Sequence, residues 1–334
     1  MLKVGLIGCG FMGGMHSACY NVIEGVEVVA VADVRAEKAE AIASIHGAKI
    51  YTTGKDLIEN ADVDIVDICL PTYLHTEHAV SAMKKGRNVF IEKPVALTKE
   101  EGELLLATQK ETGAKVQVGQ VVRICDEYVW LKEAADKKEY GEIRTAVFRR
   151  LSAPATWAWE GWLDDASKSG SMALDLHVHD VDFMRYLMGE PNDFNSTEER
   201  SEDGTIHHIF TTYKYDKAVV SIEACLDYPA DFPFESGFRV KFDKATVVWD
   251  AVKGLNVYYK DGGVHKPEIK PAYEGNNDIG GNVSSLGGYY NELKYFVEKL
   301  NADEELTIAP LDEGVKSMNL VLDEIASVGG AQLK

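Results

Sequence analysis

The sequence predicts an α/β protein: an N-terminal doubly wound parallel sheet of the Rossmann type, then a second α/β region with an open, mostly antiparallel sheet. Three observations predict it. From residue 1 to about 123, strand-like and helix-like segments alternate, as they do where helices cover both faces of a parallel sheet. A glycine-rich turn, Gly8-Cys9-Gly10-Phe11-Met12-Gly13, joins the first strand to the first helix. Beyond residue 124 several strand-like runs follow helices and are joined by hairpin-like turns, the pattern of an antiparallel sheet. Domains are therefore expected at 1–123 and 124–334.

Taken in order, Leu2 to Ile7 is an apolar run with one charge, the pattern of a strand buried on both faces. The turn after it has the G-x-G-x-x-G spacing of a dinucleotide site. Gly8 makes the tight turn, Gly10 lets backbone approach a pyrophosphate, and Gly13 allows close helix–strand packing. After the turn, Gly14, Met15, His16, Ser17, Ala18 and Cys19 can start a helix, whose N-terminal N–H groups suit phosphate. Val26 to Ala32 is the next strand. Asp33 at its end lies about twenty residues past Gly13, where a carboxylate can accept from a ribose hydroxyl. That favours NAD; Arg35 nearby can accommodate a 2′-phosphate, so NADP stays open.

Arg35 to His46 reads as a helix closed by Gly47. Ala48 to Tyr51 is a short strand, and Lys55 to Asn60 a short helix with Thr53 as N-cap. Val63 to Leu70 alternates as a strand and ends at Pro71-Thr72; a helix from His75 to Lys85 stops at Gly86. Asn88 to Ile91 is a strand running into Glu92-Lys93-Pro94. Thr98 with Glu101 forms a capping box for a helix reaching Thr112, and Lys115 to Val121 is one more strand. A doubly wound sheet binds its ligand at the carboxyl ends of its strands. Gly8, Asp33, Pro71, Glu92-Lys93 and Gln120 all fall there.

In the second half, Glu127 to Lys137 reads as helix and Ile143 to Leu151 as strand, followed by a loop with Trp157, Trp159 and Trp162. A helix spans Met172 to Met188. Strands follow at 206–215, 218–226, 238–242, 246–249 and 255–259, with Asp261-Gly262-Gly263 as a hairpin turn. Glu274 to Gly281 reads as a loop, and helices at 288–300 and 311–327 close the chain.

Composition narrows the partners. Asp and Glu number 54 against 35 Lys and Arg, for a net charge of −19. Basic clusters such as Lys84-Lys85-Gly86-Arg87 are short, so nucleic acid and anionic membrane are poor partners. The five cysteines form no C-x-x-C and several lie in apolar runs, as small buried hydrophobes do. No run reaches the ~18 apolar residues of a membrane span, and no signal-peptide pattern precedes the first strand. A cytoplasmic location is the expectation.

Two places carry candidate chemistry. Lys93, at a strand end, can hydrogen-bond a substrate hydroxyl and take part in proton transfer; the alternative is a solvated loop lysine. On the 172–188 helix, Leu174, Val178, Val181 and Met184 share one face, while Asp175, His179, Asp182 and Tyr186 share another. Asp175 and His179 stand at i and i+4, so the carboxylate can orient the imidazole as a general base; the alternative is a salt-linked surface helix. A metal is not expected: His177 and His179 point about 200° apart on an α-helix, and no second ligand cluster is evident. Trp157 and Tyr228 are candidate walls of a sugar site or, equally, core aromatics.

The glycine turn followed by His16, Pro71-Thr72 with Leu74-His75, Glu92-Lys93-Pro94, and Asp175 with His179 and Asp182 together resemble the Gfo/Idh/MocA oxidoreductase family. The likeness is ordered along the whole chain and is nearest in architecture to inositol dehydrogenases. One departure is Ser169-Gly170-Ser171, where the family often has paired glycines. The resemblance implies a cofactor-binding Rossmann domain and a substrate-binding α/β domain whose sheet forms a homodimer or homotetramer interface. It implies catalytic roles for Lys93, Asp175 and His179, and a substrate contact by Arg123. Cofactor contacts are then expected from the glycine turn, Asp33, Arg35, Pro71, Thr72, His75, Glu92, Lys93 and Gln120. The expected activity is NAD-dependent oxidation of a secondary hydroxyl on a cyclic polyol, sugar or sugar derivative. A glycoside-cleaving enzyme using transient oxidation and a non-enzymatic NAD sensor remain as alternatives on the same fold.

Overall fold

A computed structural model describes residues 1–156, 158–202, 204–271, 273 and 286–329. Trp157 and the loop expected at 274–281 lie outside the described residues. The chain divides into two compact units, Met1–Ile124 with Ala272–Lys316, and Cys125–Pro271 with Ser317–Lys334.

The first unit opens with β1 (Leu2–Ile7), α1 (Phe11–Tyr20), β2 (Val26–Ala32), α2 (Ala36–His46), β3 (Lys49–Tyr51) and α3 (Gly54–Asn60). It continues with β4 (Ile65–Ile68), α4 (His75–Lys84), β5 (Asn88–Ile91), α5 (Lys99–Thr112) and β6 (Val116–Val118). The strands form one sheet in the order β3-β2-β1-β4-β5-β6, and every pairing is parallel. Val4, Leu6, Ile65, Ile68, Val89 and Phe90 are almost fully buried, which is why these strands read as apolar runs. Thr53 caps α3, the Thr98–Glu101 capping box opens α5, and Gly47 and Gly113 close α2 and α5 in the left-handed conformation.

The second unit holds α6 (Asp126–Asp136), β7 (Ile143–Leu151), α7 (Ala166–Ser169), a π-helical turn (Ala173–His177), α8 (Val178–Met188) and β8 (Asp193–Arg200). Then come β9 (Ile206–Lys214), β10 (Val219–Cys225), β11 (Glu235–Phe242), β12 (Ala245–Asp250), β13 (Gly254–Tyr259) and β14 (Val264–His265). The sheet order is β14-β13-β12-β11-β7-β10-β9-β8, antiparallel except for the parallel pair β10/β7. It is a mixed, mostly antiparallel sheet, and the two units together make the α/β architecture expected.

The structure departs from the sequence reading in three places. A single cut at 123/124 does not describe the packing, because α9 (Gly287–Asn301) buries Leu293, Phe296 and Val297 in the core of the first unit, with Met15, Cys19 and Phe90. Periodicity marks a helix but not the core it joins. The last helix, α10 (Leu311–Ser327), begins in the first unit and ends in the second. Next, the stretch 172–188 is not α-helical throughout: its N-terminal part, Ala173–His177, is a π-turn. Finally, β8 was not anticipated. Its sequence, DFNSTEER, is polar, and its edge position leaves alternate residues exposed, so no apolar pattern marks it.

Candidate active site

The carboxyl ends of the first unit's strands are stitched together by backbone bonds one residue beyond each strand. Gly8 N–H donates to Ala32 O, Cys69 N–H to Ile7 O, Glu92 N–H to Ile68 O and Gly119 N–H to Ile91 O, at 2.8–3.1 Å. These bonds order Asp33, the glycine turn, Cys69, Glu92-Lys93 and Gln120 along one edge of the sheet, where a doubly wound fold binds its ligand.

The glycine turn needs its glycines. Gly8 has φ +91°, and a Cβ there would lie 2.5 Å from Cys69 O. A Cβ on Gly13 would lie 1.9 Å from Gly8 O, so α1 rests directly on the turn. No side chain caps α1 at Gly10, which suits an anion at the helix N-terminus. Phe11 and Met12, in the first turn, are half-buried.

Asp33 is half-buried and occupied on both oxygens: Oδ2 accepts from Cys9 N–H at 2.8 Å and Oδ1 from Arg35 N–H at 2.8 Å. The Arg35 guanidinium donates to both, at 3.0 and 2.9 Å, forming a bidentate pair. Burial would raise the Asp33 pKa, but the Arg35 and Cys9 hydrogen bonds outweigh it and hold the carboxyl below its ordinary value. The guanidinium reaches over the turn, 3.5 Å from where a Cβ of Gly10 would be.

At the neighbouring strand ends, Pro71 and Lys93 are half-buried, whereas Thr72, His75, Glu92 and Gln120 are buried. His75 approaches Pro94 O at 2.9 Å with Nδ1 and Leu70 O at 2.7 Å with Nε2, tying the two loops together. The Lys93–Pro94 peptide is cis. Arg123 follows β6, is 2% exposed, and donates to Ile308 O at 2.6 Å with Glu313 at 3.6 Å, so its guanidinium is engaged within its own unit.

In the second unit Asp175 falls in the π-turn and His179 in the first turn of α8, both half-buried. Single π-turns in α-helices recur at functional sites. Asp182 does not share their half-exposed face: it is fully buried and accepts from Ser317 Oγ at 2.6 Å. His177 is also fully buried and meets Glu324 at 2.8 Å. Trp159 is exposed, and Tyr228 stacks on Phe232 with ring centroids 4.2 Å apart.

The sequence reading gave no role to Asp67, Cys69 and Glu292, and noted His16 only as part of the motif behind the family resemblance. Among the described residues, the His, Cys and acidic groups within 4.8 Å of one another gather around His16: with Asp67 and Cys69, and with Glu92 and Glu292. Asp67, an acid in an otherwise apolar strand, was the signal that something polar must meet it in the core.

Residues 2–120 match the profile described as "Oxidoreductase family, NAD-binding Rossmann fold", and residues 128–248 match the GFO/IDH/MocA C-terminal domain. The chain belongs to the Gfo/Idh/MocA oxidoreductase family. Its cofactor is NAD, as the family description and the glycine cradle agree. Among curated relatives of this family, an inositol 2-dehydrogenase of Rhizobium meliloti (strain 1021) is 33% identical over 192 residues, covering 57% of this chain and 56% of that one. The chain thus spans about half the length of that relative. A myo-inositol 2-dehydrogenase of Thermotoga maritima is 25% identical over 327 residues, covering 93% and 92%. In fold, the chain resembles a levoglucosan dehydrogenase solved with NADH and levoglucosan, with TM-score 0.84, 22% identity and coverage of 98% and 97%. Among the described residues, no helix is long and apolar enough to cross a membrane.

Proposed function

We propose that the protein is an NAD-dependent dehydrogenase interconverting a secondary hydroxyl and a ketone on a cyclic polyol, sugar or sugar derivative. The observation that carries this is the row of strand ends in the first unit, where the glycine turn, Asp33 and Lys93 line one edge of the parallel sheet. The names of the inositol and levoglucosan dehydrogenases in its family support the substrate class.

The chain's own residues divide the work. The glycine turn and the N-terminus of α1 hold the pyrophosphate, and Asp33 accepts from the adenosine ribose. Both oxygens of Asp33 already accept from Arg35 and Cys9, so the ribose hydroxyl displaces an Arg35 contact there; the carboxylate favours NAD, while the displaced guanidinium leaves NADP open. Pro71, Thr72, His75, Glu92 and Gln120 shape the nicotinamide end. NAD held there would supply the hydride acceptor for oxidation and the hydride donor for reduction. In the oxidation direction His179, oriented by Asp175, takes the hydroxyl proton while Lys93 hydrogen-bonds and polarises the same oxygen. Pre-organised donors at that oxygen, with proximity, supply most of the acceleration. Arg123 and Trp157 complete the proposed substrate contacts. We further propose that residues 1–123, with the α9 segment that packs into their core, serve the cofactor, and that the rest of 124–334 serves substrate and assembly. The open sheet would join subunits in a homodimer or homotetramer in the cytoplasm.

The test is a screen of NAD+ and NADP+ reduction over inositols, aldoses, glycosides and sugar acids. Formation of NADH with a polyol or sugar is the expected result. A glycoside cleaved without net NADH would replace this reading with transient oxidation. An inert NAD complex across the whole panel would make the protein a sensor.

A further inference from the structure

The first unit holds a buried polar cluster that the proposed chemistry touches only through Glu92. His16 on α1 is fully buried, with Nδ1 2.9 Å from Asp67 Oδ2 on β4. Its Nε2 is 3.1 Å from Glu92 Oε1 just beyond β5, an ion-pair approach rather than a well-aligned hydrogen bond. The other Glu92 oxygen, Oε2, accepts from the Lys93 backbone N–H at 3.2 Å. The chain of contacts therefore runs from the glycine-turn helix, through one imidazole and one carboxyl group, to the backbone of Lys93.

Cys69 Sγ and the edge of Phe90 close the cluster, at 3.2 Å from His16 Nδ1 and 5.3 Å between ring centroids. Glu292 of α9, also fully buried, completes a trio with His16 and Glu92 within 4.8 Å. Because both ring nitrogens face carboxyl oxygens, the form that fits is the imidazolium, which has two N–H donors. Burial opposes that charge, but Asp67, with Cys69, overcomes it and places the His16 pKa well above its ordinary value. Burial, reinforced by the charges of Glu92 and Asp67, pushes the Glu292 pKa well up despite His16.

We propose that His16 is a positioning residue for Lys93: clamped between Asp67 and Glu92, it fixes the carboxyl group that holds the Lys93 backbone. The inference rests on the role given to Lys93 above. Without the clamp Glu92 is free to turn, and the Lys93 loop shifts with it. A displacement of about 1 Å at a reacting group costs up to about 100-fold in rate.

His16→Gln, Glu292→Gln and Lys93→Ala are compared with the unaltered enzyme on the best substrate of the screen. The readings are the NAD Kd, kcat, KM, and the deuterium isotope effect with substrate labelled at the reacting carbon. His16→Gln is expected to lower kcat by about 10- to 100-fold and raise the isotope effect, leaving the NAD Kd nearly unchanged. Glu292→Gln, isosteric with a neutral carboxyl, is expected to keep its kcat. A merely structural role for His16 would reduce the amount of active enzyme and leave KM and the isotope effect at wild-type values; that result overturns the inference. Should His16→Gln not fold, the His16→Gln/Asp67→Asn pair removes both charges together and is read the same way. Wild-type kcat/KM in Lys93→Ala would instead overturn the role of Lys93. Loss of activity there with wild-type kcat and isotope effect in His16→Gln would sink the positioning inference alone.

Discussion

Behind Lys93, in the first unit, three acids gather around one basic group: Asp67, Glu92 and Glu292 around His16. Beneath the Asp175–His179 segment, in the second unit, each buried acid has its own partners. Asp180 takes a two-pronged contact from Arg150 at 2.9 and 3.2 Å. Glu324 meets His177 at 2.8 Å and accepts from Tyr213 Oη at 2.7 Å and Thr211 Oγ1 at 3.1 Å. Asp182 accepts from Ser317 Oγ, which in turn accepts from Arg185 at 2.7 Å. Both networks lie under proposed catalytic residues, yet they stabilise differently. In the second, each acid is met by hydrogen-bond donors of its own, and the network acts as a frame. The first is short of positive charge, and the pKa values of His16 and Glu292 are raised there, so it contributes a pH dependence of its own.

The largest effect is expected in the second network. Asp180→Ala leaves the Arg150 guanidinium buried without its partner, which costs about 3–5 kcal/mol. Urea unfolding monitored by tryptophan fluorescence measures it. Replacing both partners at once, Arg150→Met with Asp180→Leu, should restore most of the loss, because a buried pair exchanged for apolar groups is often neutral. If the single and double variants are equally destabilised, the pair is not acting as a unit.

A smaller and opposite signature is expected in the acid-rich network. The folded pKa of His16 lies above its ordinary 6.5. Its contribution is therefore fully present below that value and is lost as pH rises through the folded pKa. Glu292 is raised above 4.5, so ionising it in the folded state also costs stability as pH rises. Both groups make the first unit less stable toward alkaline pH. The groups facing them are Asp67, Cys69, Glu92, Cys19 and Tyr20, and burial keeps both thiols and the phenol protonated to high pH. His46, His75 and His78, lowered by burial from 6.5, act in the opposite direction below about pH 7, so melting temperature should fall from about pH 7 to 9, and Glu292→Gln should flatten the slope. A slope unchanged in that variant would mean that Glu292 holds no proton in the folded protein.

The same contrast explains what the sequence revealed. The strand ends were legible because each depends on local chemistry: glycines at a turn that admits no Cβ, Asp33 closing a strand, Glu92-Lys93-Pro94 closing another. Asp175 and His179 were singled out by their spacing together with the family resemblance. The π-turn that carries Asp175 was not, since π and α turns use the same residues and differ only in which carbonyl each N–H meets. Glu292 was hidden for a different reason. It lies far along the chain from His16, on a helix whose amphipathic pattern says that one face is buried but not against which core. Asp182 read as part of a polar face and proved to be buried, because its partner Ser317 stands on a distant helix.

The most direct measurement is kcat/KM for NAD+ reduction by Lys93→Ala on the preferred polyol or sugar, with the NAD Kd taken on the same preparation. Loss of the donor that polarises the reacting oxygen predicts a fall of about 10²- to 10³-fold with cofactor binding retained. Wild-type kcat/KM in that variant would contradict the site proposed here.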